Sequence, residues 1–102
     1  MKAESIARFF QDKVLQIEGY KVRFTQASSM STLYKGTSAL SLEASVYTLS
    51  GTHLLDTNIL INNLEKLTVA DLYTEISNQL QEIVGDQTKT DIELSRYFKE
   101  VE

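Results

Sequence analysis

The chain has 102 residues, 42% hydrophobic and 24% charged, a balance suited to one ordinary core and unlike that of disordered or membrane proteins. It contains no cysteine and one histidine, which excludes disulfides, thiolate zinc sites, a cysteine nucleophile and any two-histidine metal site within one subunit. The net charge of −4 is unevenly shared: residues 1–51 hold six Lys/Arg against four Asp/Glu, and residues 52–102 hold four against ten. Faces of opposite sign are therefore expected, able to steer a charged partner or favour head-to-tail contact between copies.

The first predicted element is a helix over Ala3–Ile17. Ala3, Ile6, Ala7, Phe10, Val14 and Ile17 recur at helical spacing, and Gly19 provides a stop. Phe9 and Leu15 lie beside that stripe, either widening the core face or forming a contact surface. From Tyr20 the period changes to two. Tyr20, Val22 and Phe24 alternate with Lys21, Arg23 and Thr25, which predicts a half-buried strand with a basic outer face.

Twelve of the residues 25–52 are Ser or Thr. The stretch from Ala27 to Ser38 shows no period and reads as a loop carrying Met30, Leu33 and Tyr34; a loop of that length is a binding candidate. Alternation returns over Ala39–Leu49, with Leu40, Leu42, Ala44 and Val46 inward. Ser50-Gly51 marks a turn, and His53–Ile61 is expected to return as a third strand. Asp56-Thr57-Asn58 are weak strand formers, so a short capped helix holding Ile59, Leu60 and Leu64 is the alternative there.

A second helix is predicted from a capping box at Thr68–Asp71 through Leu72, Ile76 and Leu80 to a stop at Gly85. Thr90-Asp91-Ile92-Glu93 is a second capping box and opens a last short helix containing Leu94, Tyr97, Phe98 and Val101. Such a helix is too short to stand alone and must dock on something.

The chemical signals are sparse. His53 lacks a glycine-rich nucleophile elbow around any serine, and Asp56 could orient it only if the segment were helical. Asp71 with Glu75 and Glu82 with Asp86 are i,i+4 pairs flanked by polar residues, which marks a solvated acidic face. Gly85–Asp91 lacks the alternate acids and central glycine of a calcium loop, and no two glycines are close enough for a phosphate loop. No cofactor and no small-molecule substrate are inferred.

The order helix–strand–strand–strand–helix resembles the double-stranded-RNA-binding fold in outline. That family starts its final helix with lysines, where this chain has Val69-Ala70-Asp71-Leu72-Tyr73. An aspartate there repels phosphate, so direct nucleic-acid binding is not expected. No apolar run approaches the ~20 residues of a membrane span, and the opening Met-Lys-Ala-Glu-Ser lacks the apolar region of a signal peptide. The expected partner is thus a protein, another one or a second copy, met in the cytoplasm or in a virion component assembled there.

The sequence therefore predicts an α+β domain of two layers. About three mainly antiparallel strands lie under an N-terminal and a C-terminal helix, with a short terminal helix added. A non-catalytic structural or adaptor subunit is expected; phage tail-completion and neck subunits are similar in size and element order. The alternative is an acidic inhibitor or chaperone occupying a basic site on a target, in the manner of nucleic-acid mimics of the anti-CRISPR kind. Candidate interaction residues are Lys21, Arg23, Met30, Leu33, Tyr34, Asp71, Glu75, Glu82, Asp86 and Tyr97.

Overall fold

A computed structural model describes residues 2–31 and 37–101. Its elements are helix α1 (Ala3–Phe10), strands β1 (Val14–Ile17), β2 (Tyr20–Ser31), β3 (Ser38–Thr48) and β4 (His53–Ile61), a 3-10 turn at Leu64–Lys66, and helix α2 (Val69–Tyr97). The strands form one antiparallel sheet in the order β1-β2-β3-β4. Both helices cover the same face. The α+β class and two-layer arrangement expected from the sequence are present, with four strands instead of three.

The extra strand comes from the predicted first helix. α1 stops at Phe10, the chain turns through Asp12 at φ 60°, and Val14–Ile17 pairs with Tyr20–Arg23. Val14 and Ile17 fit a helical stripe by spacing, but their branched β-carbons suit a pleated strand better. Gly19 is then half of a two-residue hairpin turn with Glu18, at φ 54°, and stops no helix.

The predicted loop over Ala27–Ser38 is also corrected. β2 runs on to Ser31, with Ala27 opposite Leu42, Ser29 opposite Leu40 and Met30 opposite Ala39. Leu33 and Tyr34 lie outside the described residues. On β2 and β3, Val22, Phe24, Leu40, Leu42 and Val46 are fully buried, as their alternation requires. β4 is a strand along its whole predicted length, burying Ile59 and Ile61, and Leu64 is buried in the 3-10 turn that follows.

α2 begins as predicted. The Asp71 N–H donates to the Thr68 hydroxyl at 3.1 Å, and the Thr68 N–H donates to the Asp71 carboxylate at 3.0 Å. It does not end at Gly85. The helix continues unbroken to Tyr97, so the separate short terminal helix does not exist. The Thr90 hydroxyl, expected as a cap, instead donates to the Asp86 carbonyl inside the helix, as that of Thr88 does to Val84. Leu72, Ile76, Leu80 and Val84 seat the first half on the sheet, against Ala7, Phe10 and the inward strand residues.

The second half leaves the domain. The molecule measures 52 × 27 × 21 Å with a radius of gyration of 15.8 Å, against ~12.8 Å for a compact chain of this length. Every residue from Asp86 to Val101 is exposed. This segment is an arm.

Candidate functional site

Three surfaces are built from these elements. The first is the outer face of the sheet. Lys21 stands opposite Tyr47 and Arg23 opposite Ser45, with His53 and Asp56 next in register on β4. Three residues apart on a regular strand would put His53 and Asp56 on opposite faces. A β-bulge at Leu54 adds one residue and brings both to the outer face, with His53 Nε2 2.8 Å from Asp56 Oδ1. The sequence reading required a helix for that contact; the bulge supplies it within a strand. The hydrogen bond from His53, then one from Ser45, holds the Asp56 carboxyl below the usual carboxylate range. Both side chains are exposed, at 49% and 71%, so the pair is a surface clasp that packs the imidazole against Tyr47 at 5.3 Å. The face is mixed in sign, since Glu43 accompanies Lys21 and Arg23.

The second surface is the ridge of α2 that points away from the sheet. At 100° per residue, Asp71, Glu75, Glu82 and Asp86 fall within about 60° of one another, opposite the buried stripe. All four are exposed. Asp71 is also committed to the capping box: the hydrogen bonds from the Thr68 N–H and hydroxyl lower its carboxyl below the ordinary value. The acidic half of the sequence thus becomes one edge of the helical layer, across the molecule from Lys21 and Arg23.

The third surface was not foreseen as a unit. Between α1 and the start of α2 lie two adjoining apolar recesses of about 440 and 260 Å³ that share Phe9, Phe10, Val69 and Leu72. Ile6 extends one recess, and Leu15, Tyr73 and Ile76 extend the other. Phe9 is 52% exposed and Val69 71%. The Lys13 ammonium lies 4.1 Å from the centroid of the Phe9 ring, a cation–π contact at the groove's rim. Glu18 fixes the groove's far end, accepting hydrogen bonds from Ser77 at 2.8 Å and Tyr73 at 3.3 Å.

Apolar residues reappear on the arm. Leu94 is 50% exposed, Tyr97 82% and Phe98 73%, and Ile92 and Val101 are exposed beside them. Val69, Tyr73, Ile76, Leu80, Ile83, Gln87, Thr90, Leu94 and Tyr97 keep one alternating four–three spacing through Gly85. That continuity was the signal for a single long helix.

Met30 lies elsewhere, at the end of β2, in an open recess with Lys2, Ser38 and Glu65. The Ser38 N–H donates to the Glu65 carboxylate at 3.0 Å. Hydrogen bonds from the Glu65 and Ser38 backbone lower the pKa of that carboxyl, and this clip pins the start of β3. The predicted interaction residues that are described therefore lie in four places: the outer sheet face, the acidic ridge, the arm and the end of β2. Among the described residues no group of three or more His, Cys, Asp or Glu is placed to hold a metal ion, and no helix is long and apolar enough to cross a membrane. Comparison with family models, with curated proteins and with solved structures returns no match to this chain.

Proposed function

We propose that this protein is a non-catalytic adaptor or structural subunit that acts through protein–protein contact in the cytoplasm. The observation that carries this reading is the arm: a helical extension whose Leu94 and Tyr97, with Phe98 at its end, are exposed, with none of the described residues of the domain covering them. An isolated helical end of about three turns gains little from hydrogen bonding alone, and large apolar side chains held in water mark a contact surface. The setting we propose is a phage or mobile-element assembly of the tail or neck type.

A second reading is favoured by the carboxylate ridge of α2, which suits an acidic inhibitor or chaperone occupying a basic site. One affinity capture from the native cells separates the two. Leu94→Ser with Tyr97→Ser and Phe98→Ser should abolish recovery of the partner if the arm is the contact. Glu75→Gln with Glu82→Gln and Asp86→Asn leaves the Asp71 cap intact and should abolish recovery if the ridge is. If neither set changes what is recovered, both readings fall.

A further inference from the structure

The chain carries two uncovered apolar surfaces, a groove and an arm, at opposite ends of one straight helix. Val69 lines the groove and Tyr97 ends the arm, 28 residues or about 42 Å apart along α2. The arm cannot reach its own groove without breaking the helix.

We propose that two copies of this chain exchange arms: the Gly85–Phe98 segment of each lies in the other's groove, covering Phe9, Val69 and Tyr73 with Leu94, Tyr97 and Phe98. Resting on the adaptor reading above, this names the partner as a second copy. Antiparallel alignment of two α2 helices brings each arm to the other's groove at once, so one two-fold contact covers all four surfaces and closes the assembly at two chains.

Area supports a second copy. The accessible surface is 7238 Å², roughly 1,400 Å² above the ~5,800 Å² expected of a folded chain of this mass. A stable interface removes about 800 Å² from each partner, and long-lived homodimers remove more, so the excess is of the size a dimer consumes.

The native chain lacks cysteine, which makes the test clean. Light scattering of the purified protein at tens of micromolar should give about twice 11.5 kDa. Tyr97→Asp on the arm and Phe9→Asp on the groove should each weaken association by about 30-fold or more, as central contacts do. Tyr97 touches little in its own chain, so that variant keeps the wild-type circular dichroism and unfolding midpoint. Mixed Phe9→Cys and Tyr97→Cys chains should form a disulfide between copies on oxidation, while Asn58→Cys on the outer sheet should pair with neither. A strict monomer at every concentration overturns the exchange, as does a dimer that survives both aspartate variants. In either case an arm-dependent partner recovered from the native cells leaves the adaptor reading standing, so the two failures are distinguishable.

Discussion

Between Val69 and Val84, α2 lies on the sheet and buries Leu72, Ile76, Leu80 and Val84; between Gly85 and Tyr97 the same helix, with the same spacing, leaves Leu94 and Tyr97 in water. The two halves share one helical spacing; the second is more polar, with Gln87 and Thr90 on the seam, and has no sheet beneath its Leu94 and Tyr97 among the described residues. Apolar periodicity therefore specifies that a helix has a face to cover and is silent on whose surface covers it. In the first half the cover is the chain's own sheet. In the second, Leu94 and Tyr97 stay exposed in the single chain.

Substitutions that match chemistry and change surroundings sharpen this contrast. Leu80→Ala, at a fully buried position, should lower unfolding stability by about 2–5 kcal/mol in urea titration, through lost burial and the cavity left behind. A loss below about 1 kcal/mol would mean that the seated half is not packed as described. Thr68→Ala removes the N-terminal cap and should cost about 1 kcal/mol in the same titration. The Asp71 side of that cap has a pH signature. Its carboxyl is depressed in the folded state, so its contribution is fully present above the ordinary value near 3.8 and is lost as pH falls through the folded pKa. The stability gap between the wild type and Asp71→Asn should accordingly close in acid.

Gly85→Ala tests the joint between the halves. A methyl group there meets nothing within 4 Å, and the backbone is helical, so stability should rise by about 0.5–1 kcal/mol. A fall would show that the helix breaks at this residue after all. Smallest is Leu94→Ala, which should alter unfolding of the dilute monomer by less than about 0.5 kcal/mol, one tenth of the upper figure for Leu80. A larger effect is expected on the association proposed above.

Much of the fold was legible because alternation and capping are local. Phe24, Leu42 and Val46 declare their inward face by parity, and Thr68 with Asp71 declares a helix start. What was not legible depended on partners distant in sequence. In Ala27–Ser31 all but Met30 are alanine or serine and that methionine is exposed, so no apolar period of two is visible, and only pairing with Leu40 and Leu42 makes the stretch a strand. Val14 and Ile17 satisfied a helical spacing until the Glu18-Gly19 turn brought them beside Tyr20–Arg23. Gly85 resembled a stop because glycine costs a helix about 1 kcal/mol, a penalty that a 29-residue helix absorbs. The groove was the least readable feature. Phe9 and Val69 are 60 residues apart, and nothing local places them side by side.

Gln11, just beyond the end of α1, has a further consequence. Its side-chain amide donates to the Thr25 carbonyl at 3.2 Å and accepts from the Ala27 N–H at 2.9 Å, alongside the Lys13 carbonyl that accepts from Phe24. One carboxamide thereby imitates a peptide group and continues the ladder where β1 is absent. Strand margins with free donors and acceptors template fibrils, and between Thr25 and Ala27 this one is covered by a single side chain. Hydrolysis of that amide to a carboxylate would set negative charge against the Thr25 carbonyl and reopen the margin. Chemical change at one glutamine would thus be felt at a strand fourteen residues away, where it holds the Thr25 carbonyl.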